Sequence, residues 1–207
     1  MAIPLHTLLL AALSTAPTES AVHVEGAVRL GVSAPVGEAV PGGPLSTRFS
    51  LAVPVRLELG ARLSPTTFIG LFGQYGFAVL PAGCGGYCAG QVLVFGFETL
   101  FHLAPGQFLD PWFGLGVGIE LAGWNSTALD TGSDTYFEKL LGPVLDVQFG
   151  LGFPLGQGVK VGPWVGVLFG PYLSRSSGIV DQQGSGSSGQ SSLHAWITAG
   201  LRLSVQF

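Results

Sequence analysis

The sequence predicts an all-β fold: an eight-stranded antiparallel up-and-down barrel that crosses a membrane, preceded by an N-terminal signal peptide. Three observations carry this reading. Apolar residues recur with period two along eight segments, charged residues in those segments share the opposite parity, and the connections alternate between short and long. Composition agrees. Only 8 of 207 residues are Lys or Arg and 12 are Asp or Glu. The charged share is 10%, where a soluble domain carries roughly 25%. So little charge argues against a soluble enzyme with a charged surface, and 47% apolar residues argue against disorder. A net charge of -4 with no basic run gives no reason to expect a nucleic-acid partner.

Residues 1–21 read as the signal peptide. No stretch reaches the ~20 consecutive apolar residues of a spanning helix. The run Leu8 to Leu13 suits a signal-peptide core, and Ser20 or Ala21 ends the segment to be removed. No Lys or Arg precedes the run and Glu19 sits badly for cleavage at Ala21, which keeps a buried N-terminal helix as the alternative.

Residues 22–207 supply the barrel. The first segment puts Val22, Val24, Val28, Leu30 and Val32 on one face, against His23, Glu25, Arg29 and Ser33. The second puts Phe49, Leu51, Val53, Val55, Leu57, Leu59 and Leu63 against Ser50, Arg56, Glu58 and Arg62. Ile69, Leu71, Tyr75, Phe77 and Val79 form the apolar face of the third; Leu93, Phe95, Phe97, Phe101 and Leu103 form that of the fourth, opposite Glu98 and His102. The fifth sets Phe113, Leu115, Val117, Ile119 and Leu121 against Trp112 and Glu120, and the sixth sets Leu141, Leu145, Val147, Phe149 and Leu151 against Asp146 and Gln148. Val159, Val161, Val165, Val167 and Phe169 oppose Lys160 and Trp164 in the seventh. In the eighth, Ala195, Ile197, Ala199, Leu201, Leu203, Val205 and Phe207 oppose His194, Trp196, Thr198, Arg202 and Ser204. Each segment meets the ~9–11 residues of a tilted membrane strand. Pro54, Pro143 and Pro163 fall inside segments, where each removes a ladder donor, so bulges or displaced strand ends are expected there.

Short connections surround Ser64–Thr66 and occupy APGQF and PLGQG; long ones span Pro35–Arg48, Pro81–Gly90, Trp124–Phe137 and Ser174–Ser191. That alternation matches short periplasmic turns and long external loops, with both termini periplasmic. From Val22 to Phe207 the chain resembles the small eight-stranded outer-membrane barrels of the OmpA/OmpX type, in strand number, loop alternation and the aromatic end at Phe207. The resemblance implies a bacterial outer-membrane location among lipid and lipopolysaccharide. It also implies that Leu201, Leu203, Val205 and Phe207 are read by the barrel assembly machinery. A monomer without a cofactor is expected.

An interior only wide enough for side chains makes the inward charges informative. Counted from the periplasmic ends, Arg29, Arg56, Glu58, Glu98, Asp146 and Arg202 fall at similar heights, with Glu25 slightly lower. They are expected to form a charge-compensated plug, since the Arg fork bonds two carboxylate oxygens at once. Scattered polar groups in luminal water are the alternative. Inward glycines, among them Gly70, Gly96, Gly114, Gly150 and Gly166, leave gaps that Phe68, Phe72, Trp112, Trp164 and Trp196 either cover or leave as a narrow cavity.

Other candidates are sparse. Cys84 and Cys88, in an external loop of an exported chain, are expected to form a disulfide. Asp130, Asp134 and Glu138 lack the alternation of a calcium loop and read as solvated. His194 lies near Ser191 and Ser192 without a matching hydrolase motif and points inward; no catalytic or metal-binding residue is assigned. The Gly/Ser/Gln-rich stretch Ser174–Ser191 reads as a mobile external loop. The expected role is structural or surface-interacting. A narrow porin-like channel for small or apolar solutes, a lipid A-modifying enzyme and a soluble lipocalin-like binder are the alternatives.

Overall fold

The computed structural model describes residues 22–81, 86–128, 135–179 and 191–207. The described strands are β1 (His23–Val40), β2 (Gly43–Pro44), β3 (Leu51–Ser64), β4 (Thr67–Val79), β5 (Gly86–His102), β6 (Asp110–Ala128), β7 (Thr135–Gly156), β8 (Val159–Tyr172), β9 (Ser174–Ile179) and β10 (Ser192–Gln206). A 3-10 turn occupies Leu45–Thr47. The assigned signal peptide lies outside the described residues. No described helix is long and apolar enough to cross a membrane, which says nothing of strands.

The expectation of eight strands is corrected to ten in one sheet among the described residues, ordered β10-β8-β7-β6-β5-β4-β3-β1-β2, with β9 on β7 and a further β10–β1 pairing. The sheet is barrel-like, not a symmetric barrel. Its long strands form a ring that meets itself at the β1–β10 seam, where Glu25 to Gly37 pair with Gln206 to His194. The two additional strands arise in segments whose Gly, Ser and Pro content reads as loop. β2 is a two-residue return onto the end of β1. β9 answers an edge problem: β7 has 22 residues and β8 only 14, so β7 outruns its neighbour. An unpaired stretch of backbone is costly, and β9 covers it by pairing Ser174–Ile179 with Leu141–Tyr136.

The three internal prolines need no bulge of their own. Each sits where pairing with one neighbour is interrupted while pairing with the other continues. Pro54 pairs with Gly76 of β4, but β1–β3 pairing jumps from Leu30–Val55 to Ser33–Ala52. Pro163 pairs with Leu201, while β7–β8 pairing jumps from Gly150–Trp164 to Phe153–Val161. Pro143 pairs with Ile119 and lies where β7 changes partner from β8 to β9.

Alternation sorts the two faces. Outward rows carry Phe97, 66% exposed, and Leu201, 60% exposed, whereas the intervening Glu98 and Arg202 are at most 5% exposed. The ends of the ring also differ. At the turn end, Phe68, Leu100, Trp112 and Trp164 form a small interior cluster. At the loop end, the connection between β2 and β3 folds inward. Leu45 and Phe49 are fully buried there among Val92, Leu140, Leu168 and Trp196. Alternation alone puts Phe49 on the outward face as the first residue of a strand. Instead it precedes β3, and its ring meets Trp124 edge-on at 5.7 Å and Trp196 at 5.6 Å. The inward aromatics fill the glycine gaps. A methyl group on Gly150 would lie 2.5 Å from Trp112 Cε2, and one on Gly96 would lie 2.7 Å from Phe72 Cε1.

If Phe49 caps the interior, Phe49→Ala should cost about 3–5 kcal/mol, as for other fully buried Phe truncations. Chemical unfolding of the full chain in detergent micelles measures this; an unchanged midpoint would place Phe49 outside the cooperative core.

Candidate functional site

Seven strands contribute side chains to one buried ionic network. Register aligns its members: Arg29 on β1 stands opposite Arg56 on β3 and opposite Arg202 on β10. Three cations on adjacent strands repel unless carboxylates lie between them. Glu58 supplies that link, pairing with Arg29 Nε, with Arg202 Nη2 at 3.0 Å and with Arg56 Nε at 3.4 Å. Arg56 then reaches across the interior. Its Nη1 lies 2.5 Å from Asp146 Oδ2 on β7, and its Nη2 lies 2.6 Å from Glu98 Oε2 on β5. Gln148 joins the far wall to the near one: its amide donates to Asp146 Oδ2 at 2.6 Å while its carbonyl accepts from Arg29.

Towards the turn end the chain of contacts continues. Arg202 Nη2 donates to Glu25 Oε1 at 3.1 Å, and Arg62 Nε donates to Glu25 Oε2 at 2.7 Å. Arg62 Nη2 also lies 3.0 Å from His102 Nε2. A guanidinium only donates, so Nε2 accepts and the ring hydrogen sits on Nδ1. That Nδ1 donates to Asp110 Oδ2 at 2.7 Å, and the same oxygen accepts from Lys160 Nζ at 2.6 Å. Aromatic faces complete the solvation of the cations. Arg29 lies 4.9 Å from the centroids of both Trp112 and Trp164, and Arg56 lies 3.6 Å from that of Phe72.

The structure thus brings Glu25, Arg29, Arg56, Glu58, Glu98, Asp146 and Arg202 together. Sequence reasoning missed Arg62, His102, Asp110, Lys160 and Gln148 as members. The parity of Arg62, His102, Gln148 and Lys160 carried the signal, whereas Asp110 lay between the APGQF turn and the fifth segment.

A second cluster lies nearer the loop end. Glu120, fully buried, accepts from Tyr172 Oη at 2.5 Å and Trp196 Nε1 at 3.0 Å on one oxygen, and its other oxygen lies 3.1 Å from His194 Nε2. The Tyr172 and His194 rings stack at 3.6 Å. Ser192 Oγ donates to the Ala39 carbonyl at 2.8 Å rather than to His194. Glu138, read as solvated, is fully buried and pairs with Arg175 of β9 at 2.8 Å. Asp130 and Asp134 lie outside the described residues. So does Cys84, and with it one end of the expected disulfide; Cys88 lies on β5 opposite Ser126 and is not a free cysteine. No group of three or more metal-ligating side chains occurs among the described residues. Leu201, Leu203 and Phe207 lie exposed at the end of β10, in the outward row they share with Val205.

No family model matches the chain, and no curated protein matches it. Solved structures do. Neisserial surface protein A is similar at 12% identity and TM-score 0.53, covering 91% of this chain and 98% of that one. A major outer membrane protein from Thermus thermophilus is similar at 12% identity and TM-score 0.54, covering 88% and 99%. The outer membrane protease OmpT from Escherichia coli is similar at 11% identity and TM-score 0.52, covering 89% and 97%. The likeness is one of fold. It does not single out the OmpA/OmpX type.

Removing one partner from such a network leaves buried charge uncompensated. Arg56→Ala should therefore destabilise the chain by about 3–5 kcal/mol. The charge-balanced double variant Arg56→Met, Asp146→Asn should recover part of that loss in the same unfolding measurement, because cations and carboxylates are again equal in number and Glu98 keeps Arg29 as a partner. Equal destabilisation of both would show that packing, not ion pairing, dominates at Arg56.

Proposed function

We propose that the chain is a bacterial outer-membrane barrel-like protein with a structural or surface-interaction role, its interior closed to solutes. The observation that carries this reading is the buried network: Arg29, Arg56, Arg62 and Arg202 are each at most 5% exposed and each meets at least one carboxylate inside the ring. A conducting pore needs mobile water along its walls. Here ion pairs and aromatic rings occupy the turn-end half, and the apolar cluster around Phe49 occupies the loop end. The apolar outward rows suit hydrocarbon, and the ring leaves few main-chain groups unpaired in it.

In this reading the turn end and both termini face the periplasm, and the longer strands and their loops face outward. Lipid and lipopolysaccharide surround the ring, and Leu201, Leu203, Val205 and Phe207 present the assembly signal. A non-catalytic role is supported by His194. Its Nε2 is turned to Glu120 beneath the Tyr172 ring, and the Ser192 hydroxyl is held by Ala39, so the serine–histidine contact of a hydrolase is not made.

Two measurements test the proposal. The full chain, folded in detergent, should migrate differently on gels before and after boiling; identical migration together with solubility in detergent-free buffer would overturn the membrane reading. In planar bilayers the wild-type chain should give no resolved conductance steps, and Phe49→Ala combined with Arg56→Ala should give small ones. Steps in the wild type would replace a closed interior with a narrow channel.

A further inference from the structure

On the outer wall, β5, β6 and β7 change character within one rung. Leu93, Leu121 and Leu141 stand in register across the three strands and end the apolar rows. The next outward rung is Gln91, Gly123 and Lys139, and the one above is Ala89, Asn125 and Phe137. Because Gly123 has no side chain, the middle of the first polar rung is a gap. A groove of about 490 Å³ opens there, lined by Tyr75, Gln91, Asn125, Phe137 and Lys139. Tyr75 Oη donates to Gln91 Oε1 at 3.3 Å, which directs the Gln91 NH2 elsewhere. Lys139 is exposed, with its ammonium 5.8 Å from the centre of the Phe137 ring.

We propose that this groove binds the headgroup of a phosphorylated glycolipid of the surrounding leaflet. The inference rests on the membrane reading above. Three features select this occupant. Lys139 offers the groove a compact outward positive charge, since the Glu138 carboxylate that also borders it is buried and paired with Arg175, and a phosphate is the natural counter-charge of Lys139. Aromatic rings beside amide groups suit a sugar, whose C–H face packs on a ring while its hydroxyls bond to Gln91 and Asn125. The groove is continuous with Leu93, Leu121 and Leu141, so acyl chains leaving the headgroup pass directly onto apolar surface. A plain phospholipid would use the charge and the apolar rows but leave the amides without partners.

The test uses the full chain folded into lipid nanodiscs of phosphatidylcholine, doped in turn with a bis-phosphorylated diglucosamine lipid, its dephosphorylated form, and phosphatidylglycerol. Native mass spectrometry counts retained lipid. The bis-phosphorylated glycolipid should be retained preferentially. Lys139→Ala should weaken it about tenfold, the loss expected from one charge-assisted hydrogen bond. Lys139→Glu should abolish the preference and Lys139→Arg should keep it; Gln91→Ala should narrow the margin over phosphatidylglycerol. Equal retention by wild type and Lys139→Glu, equal retention of the dephosphorylated lipid, or displacement by millimolar inorganic phosphate alone would each overturn the inference. Failure to enter the discs would remove the membrane reading itself; entry without lipid preference would remove only this site.

Discussion

A guanidinium inside a ring this narrow has no room for its own water shell, so the protein must replace that shell atom by atom. This constraint organises the interior. Taking an ion out of water costs several kcal/mol even after relaxation, and only good geometry with several partners offsets it. The arrangement around Arg29 meets the demand from all sides: Glu58 along one edge, Gln148 along another, and the indoles of Trp112 and Trp164 over the guanidinium. The partners come from β3, β6, β7 and β8, so solvating one cation on β1 fixes the relative position of walls that share no ladder. Arg56 does the same between β3, β5 and β7. Backbone pairing makes neighbours adhere, and the ionic network sets which distant strands face each other.

Glycine and aromatic residues are two halves of the same device. An indole cannot lie flat across a narrow interior unless the wall beneath it lacks a Cβ. Trp112 lies against Gly150 on the facing strand, and Phe72 lies against Gly96. Once flat, the rings offer their faces to Arg29 and Arg56. Ring placement, cation solvation and glycine content are therefore one requirement, and the 33 glycines of the sequence are partly its consequence.

Much of this was legible because alternation is a local signal. Parity alone places Glu25, Arg29, Arg56, Glu58, Glu98, Asp146 and Arg202 on a common face, and height counting brings them near one another. What parity does not encode is contact across loops. Asp110 shares the parity of Trp112 but stands between the turn and the segment that alternation marks, so its bond to His102 was invisible. Glu138 lay in an acidic, Gly-containing stretch that reads as solvated, yet the length of β7 carries it inward beneath β9. Strand number failed for a related reason. β2 and β9 exist only because longer neighbours leave backbone to be paired, and strand length is the boundary that sequence marks least sharply. Phe49 fell on the outward parity of its segment, but the strand begins two residues later and the preceding chain turns into the ring.

Unequal strand length also separates the two ends in kind. Where all long strands are paired on both sides, at the turn end, the interior is ionic and the outer wall largely apolar. Where β5, β6 and β7 outrun β3, β4 and β8, the ring is no longer complete, and the same alternation that kept the outer wall greasy now presents Gln91, Asn125 and Lys139 outward. The interior at that level is filled by Leu45 and Phe49 among apolar neighbours, with Glu138 paired to Arg175 of β9. A structure built this way keeps its charge-locked half behind an apolar outer wall. Chemical variety is left to the projecting half, where polar side chains cost nothing to expose.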